Sequence, residues 1–117
     1  MWAVRLTVEK NQFLYYTIYN IQYVYILFSL KDSKLYIGCT NNLKRRLQEH
    51  NIGKVDFTKY RRPLNLIYLE GCLNEKDAYI REKYFKMGYG RKFIKNRLTN
   101  YFADGPRPPR FDSQSEA

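Results

Sequence analysis

Leu43, Arg46, Leu47 and His50 stand at i, i+3, i+4 and i+7, the spacing of a single helix face. Two ionisable side chains therefore share the stripe that the two leucines turn toward a core. An unpaired charge buried on such a stripe costs several kcal/mol, roughly, so its presence needs a reason. The plain reason is that Arg46 reaches past the leucines to water and that His50 is a satisfied, partly buried histidine. The chemical reason is that a guanidinium is a permanent planar cation suited to oxyanions, and an imidazole with a reference pKa of about 6.5 exchanges protons near neutrality. A second stripe, Ala78, Arg81, Glu82 and Phe85, has the same spacing and sets a carboxylate between small and aromatic neighbours. The plain explanation of Glu82 is an i, i+4 ion pair with Lys86.

The elements that must position these side chains follow from pattern. Gln22 to Ser29 is a β-branched and aromatic run that predicts a buried strand. Lys31-Asp32-Ser33-Lys34 has turn chemistry, and Leu35 to Cys39 predicts a second strand, so the two form an antiparallel hairpin. That hairpin brings Tyr25 and Tyr36 onto neighbouring strands, with their relative face left to the register. Thr40 or Asn41 is expected to cap a helix running to about His50, ended by Asn51 to Gly53. A polar loop from Lys54 to Arg62 leads through Pro63 to a third strand at Asn65 to Glu70. Asn74 with Asp77 opens a helix reaching roughly Met87, stopped by Gly88, and a last short helix spans about Arg91 to Leu98. The expected architecture is an α/β domain with a three-stranded mixed or antiparallel central sheet flanked by helices, in the order β-β-α-β-α-α. Residues 1–21 are an N-terminal extension without a clean period, 22–102 form the domain, and 103–117 read as a disordered tail.

Composition narrows the class. A chain of 117 residues is the size of one domain. Lys and Arg outnumber Asp and Glu by 21 to 11, a net charge of +10, and the whole excess lies between Gln22 and Phe102. Such a balance predicts a polyanionic partner, most simply nucleic acid, bound by phosphate neutralisation and counterion release. Two isolated thiols, Cys39 and Cys72, make neither a disulfide framework nor a structural zinc site. The absence of a run of about 18 apolar residues argues against a membrane span. With no signal-peptide pattern at the N-terminus, the expected compartment is a reducing cytoplasm.

The residues also carry a resemblance. Tyr23-Val24-Tyr25-Ile26-Leu27 and Leu35-Tyr36-Ile37-Gly38 are followed by Thr40-Asn41-Asn42-Leu43 and by Arg46-Leu47-Gln48-Glu49-His50-Asn51. Then come Arg62-Pro63, Leu66-Ile67-Tyr68-Leu69-Glu70, Ala78-Tyr79-Ile80-Arg81-Glu82-Lys83 and Gly90-Arg91-Lys92-Phe93-Ile94-Lys95-Asn96-Arg97-Leu98. This ordered set resembles the GIY-YIG nuclease superfamily, and within it the small single-domain members similar to the N-terminal nuclease domain of the excision-repair endonuclease. Tyr23 stands where the first motif usually has glycine, and Cys39 where the repair enzymes tend to have lysine.

The resemblance implies a metal-dependent endonuclease that hydrolyses DNA phosphodiesters, weakly sequence-specific or structure-directed, with a place in DNA repair or recombination. It implies that Glu82 holds one divalent ion, Mg²⁺ or Mn²⁺, and that Arg46 neutralises charge on the phosphate in the transition state. Tyr25 or Tyr36 orients or deprotonates the attacking water, His50 relays the proton, and Asn96 orients the site or contacts phosphate. Only about one phenol in a thousand is ionised at pH 7, hence the need for a relay. All of this requires Tyr25, Tyr36, Arg46, His50 and Glu82 to converge. Arg61, Arg62, Lys83, Lys86, Arg91, Lys92, Lys95 and Arg97 are the expected contacts to backbone phosphates of DNA, or of RNA. With no room for a DNA-reading domain, targeting falls to DNA structure or to a protein partner. The competing class is a non-catalytic nucleic-acid-binding module on a nuclease fold.

Overall fold

The computed structural model describes Gln12 and residues 20–105. What was expected of the rest of the N-terminal extension and of residues 106–117 lies outside the described residues. Strand β1 (Gln22–Ser29) is central, with β2 (Leu35–Thr40) on one side and β3 (Leu64–Cys72) on the other, giving the order β2-β1-β3. Both pairings are antiparallel, which settles the mixed-or-antiparallel question. Apolar residues fill both faces of β1 because both faces are covered: Val24, Tyr25, Ile26 and Leu27 are all buried.

Register decides what meets what. Tyr25 lies opposite Gly38, Ile26 opposite Ile37 and Leu27 opposite Tyr36, and directly opposed residues share a face. Tyr25, Leu27, Tyr36 and Gly38 therefore project to one side, and Val24, Ile26, Ile37 and Cys39 to the other. Helix α1 (Leu43–Asn51) covers the first side, where Leu43, Leu47 and Leu64 pack with Tyr25 and Leu27. Helices α2 (Glu75–Phe85) and α3 (Gly88–Arg97) cover the second, where Ala78, Phe85 and Ile94 close over Val24, Ile26 and Ile37.

The stripe residue Arg81 is structural. Its Nε and Nη2 both donate to Glu70 of β3, at 2.9 Å each, and Tyr68 Oη donates to the same carboxylate at 2.9 Å. The guanidinium carbon sits 4.4 Å from the ring centre of Phe85 and 5.0 Å from that of Phe93. A bidentate pair stacked on aromatic rings is the use for which arginine is suited and lysine is not.

Several boundaries differ from expectation, each for a local reason. Asn42 caps α1, its side chain accepting from Arg45 N at 3.2 Å, while Thr40 Oγ1 accepts from Asn42 N at 3.0 Å and shapes the approach. Strand β3 is longer than Asn65 to Glu70 because its ladder runs to Cys72 opposite Gln22. Gly88 opens α3 instead of merely ending α2, after Met87 turns extended. A side chain at Gly90 would overlap the Tyr84 carbonyl, so glycine is what lets α3 start hard against the end of α2. A further helix, α4 (Thr99–Asp104), was not expected. Tyr101 and Phe102 hold it by packing their rings on Phe28 at 6.5 and 5.8 Å. The domain thus reads β-β-α-β-α-α-α in chain order.

Candidate active site

Helix α1 places His50 inward at its last turn, with no exposed surface. The imidazole is suspended between two hydroxyls: Tyr25 Oη lies 3.0 Å from Nε2, and Thr58 Oγ1 lies 2.7 Å from Nδ1. One turn earlier Arg46 Nε donates to the same Tyr25 oxygen at 3.3 Å. Either tautomer of the imidazole satisfies both bonds, one hydroxyl donating and the other accepting. Arg46 is also oriented by an ion pair of 3.1 Å with Glu49. Tyr36 completes the group, its ring centre 4.9 Å from that of His50 and 6.3 Å from that of Tyr25.

Glycine at position 38 follows from this packing. A Cβ there would overlap the hydroxyl end of Tyr25. The last residue of the Tyr36-Ile37-Gly38 motif is the floor on which the Tyr25 ring lies.

The electrostatics sort the two phenols and the imidazole. Burial pushes Tyr25 up to about 12, against the opposing hydrogen bond from Arg46, so Tyr25 is a neutral phenol at physiological pH. Burial, aided by the charge of Arg46, holds His50 down to about 4. His50 is then neutral at pH 7, held between its two hydroxyl partners. Burial works against the charge of Arg46, yet its hydrogen bonds to Tyr25, Glu49 and Tyr36 raise its pKa above the ordinary guanidinium value. Tyr25 is wholly buried and Tyr36 is partly exposed, so Tyr36 is the phenol that solvent can reach.

Glu82 does not join this cluster directly. It projects from α2 on the opposite side of the sheet, into a cleft of about 530 Å³ lined also by Cys39, Thr40, Glu75 and Tyr79. Its side chain is 15 % exposed and pairs with Lys86 Nζ at 3.1 Å, the i, i+4 bridge anticipated from the spacing. Glu82 thus lies beside the Cys39–Thr40 end of β2, while Tyr25, Tyr36, Arg46 and His50 gather on the face that α1 covers. Lys86, the partner of Glu82, lines with Tyr36, Phe57 and Arg91 a second cleft of about 300 Å³.

The remaining expected residues divide. Asn96 stands exposed on α3, its backbone carbonyl accepting from Thr99 Oγ1 at 2.7 Å. Arg61 is engaged within the fold, its Nε 3.0 Å from Asp32 and its Nη2 donating to the Leu35 carbonyl at 3.3 Å. Arg62 donates to the Lys59 and Asn51 carbonyls at 3.0 and 3.1 Å. These two hold the loop together. Lys83 lies over the Tyr79 ring at 4.6 Å. Arg91, Lys92, Lys95 and Arg97 are exposed on α3.

The sequence reading missed Thr58, whose buried hydroxyl fixes His50. A threonine in a polar loop gives no periodic signal, and only the fold brings it to the imidazole.

A hard divalent cation prefers oxygen donors, and one carboxylate completed by water and phosphate is a normal Mg²⁺ arrangement. The Glu82 cleft has that character, with a carboxylate, the neighbouring Glu75 and room for water. Among the described residues no group of three or more His, Cys, Asp or Glu is placed to hold an ion by itself. The residues fit a single cation shared with substrate and do not fit an all-protein cage.

The GIY-YIG catalytic domain family matches residues 21–97. A UPF0213 protein of Clostridium perfringens is 45% identical over 67 residues, covering 56% of this chain and 71% of that protein. The UPF0213 protein YazA of Bacillus subtilis is 40% identical over 68 residues, covering 57% of this chain and 68% of the relative. A UPF0213 protein from Bacillus halodurans, solved by solution NMR, is 27% identical, covering 67% of this chain and 85% of that chain at a TM-score of 0.44. The family match spans more than half of the sequence and includes both tyrosine motifs, the helix of Arg46 and His50, and Glu82, so the chain belongs to the GIY-YIG family of nuclease domains.

Proposed function

We propose that this protein is a divalent-metal-dependent endonuclease that hydrolyses DNA phosphodiester bonds. The observation that carries the reading is the buried Thr58–His50–Tyr25 chain, whose outer end holds Arg46 beside the partly exposed Tyr36. Thr58 and His50 fix the Tyr25 hydroxyl, and Tyr25 with Glu49 fixes the Arg46 guanidinium. A preorganised cation does no reorganising as charge builds on the phosphate, which is how such groups lower a barrier. Tyr36 orients the attacking water, because Tyr25 has no exposed surface from which to do so.

Glu82 is the residue that would hold Mg²⁺ or Mn²⁺. Such an ion, when bound, polarises the phosphate and stabilises the leaving oxygen. Lys86 must then leave Glu82, and the cleft it lines offers the substrate phosphate as its new partner. The net charge and the exposed cations of α3 support a nucleic-acid substrate, held by its backbone and not by base sequence.

One observation favours the binding-module alternative: Glu82 is already paired with Lys86. Nicking of supercoiled plasmid with Mg²⁺ or Mn²⁺ separates the two. Glu82→Gln is expected to abolish nicking while DNA affinity changes by less than about twofold, since a phosphate-binding surface remains. Metal-stimulated turnover retained in Glu82→Gln rejects the metal role, and binding without nicking by the unaltered protein supports the module.

A further inference from the structure

The loop between α1 and β3 turns some of its residues inward and others to solvent. Val55 and Thr58 are buried, whereas Phe57, between them, is 80 % exposed. This is not a loose tip. Thr58 and Lys59 both donate backbone N–H bonds to the Val55 carbonyl, at 3.1 and 2.9 Å, and the Thr58 side chain is locked to His50. A rigid turn thus presents a bare phenyl ring to solvent, where burial would have been favourable by about 1.5–3 kcal/mol.

The ring stands at one wall of the cleft of about 300 Å³ beside β2. Lys86 and Arg91 line the same cleft, together with Leu35, Tyr36 and Ile37. Aromatic face, cationic groups and a phenol within one slot match the parts of a nucleotide. We infer that this cleft seats an unpaired nucleotide, its base stacked on Phe57 and its phosphate directed to Arg91 and Lys86. The inference rests on the nuclease reading for its polyanionic substrate and specifies which form of it is bound.

The argument for an unpaired base is energetic. In a duplex both faces of a base are already stacked, so Phe57 could be covered only by a nucleotide taken out of the helix. Extrusion costs a few kcal/mol, while stacking on one aromatic side chain returns about 1–3 kcal/mol. A single ring does not drive extrusion from intact duplex, but it does select a base already free, in a single strand, a loop or a flap.

The test is binding of one oligodeoxynucleotide in single-stranded and duplex form, under chelation so that no strand is cut. Phe57→Ala is expected to weaken the single strand about tenfold, to change duplex affinity by less than about twofold, and to leave the salt slope unaltered because the same phosphates stay neutralised. Phe57→Trp should retain single-strand affinity. Phe57→Leu should not restore it, since leucine is apolar without a stacking face. Equal weakening of both forms, restoration by leucine, or no weakening overturns the proposal. Plasmid nicking by Phe57→Ala with unchanged single-strand affinity would sink this inference and leave the nuclease reading standing. An unaltered protein that neither binds nor nicks DNA removes both.

Discussion

At the scale of the residue, His50 turns burial into a pH dependence. In the unfolded chain it takes up a proton near pH 6.5, and in the folded chain only near 4. Between those values the unfolded state binds more protons, so stability rises with pH and is lost as pH falls through the window. The expected outcome is a Tm that declines from pH 6.5 to 4 more steeply for the unaltered protein than for His50→Gln, followed by circular dichroism. The variant need not match the parent in absolute stability, because the slope carries the information. The stripe that holds His50 was readable from spacing alone, though the side chain is wholly buried where partial burial was expected. Thr58 was not, because the bond it makes is fixed by where the loop folds back and not by any repeat in the sequence.

At the scale of the element, the hairpin and the two long helices were legible because their cause is local: apolar alternation, a turn, caps and stops. Their ends were less so. Asn42 replaced its neighbours as the cap of α1 by a difference of one residue, and α4 exists because Tyr101 and Phe102 find Phe28, a contact across the chain. Register was the decisive unknown, since it sets which side chains share a face. It puts Tyr25 over Gly38, and this pairing gives a sharp expectation. Gly38→Ala should destabilise the domain by roughly 1–3 kcal/mol through overpacking, read from the urea midpoint. Because the obstructing atoms are at the hydroxyl end of Tyr25, adding Tyr25→Phe should recover part of that loss, a non-additive pair.

At the scale of the whole molecule, charge is distributed by task. Arg61, Arg62 and Arg81 bind the fold to itself, whereas the cations of α3 face solvent. Composition announced the excess but could not say which cations were free, since that depends on the partners the fold supplies. Arg91→Ala or Lys95→Ala should weaken DNA binding alike for all sequences and make the salt slope shallower by about 0.9 for each duplex phosphate that is no longer neutralised. Arg61→Ala should instead lower Tm and leave the slope in place. Among the described residues no helix is long and apolar enough to cross a membrane.

The edge position of β2 has its own consequence. That strand is zipped to a single neighbour, and local opening starts where the fewest partners hold the chain. Loosening Leu35–Thr40 unseats Tyr36, withdraws the floor beneath Tyr25 and dissolves the partition along which Glu82 lies, all in one event. The candidate site is thereby tied to the fastening of one outer hem of the sheet.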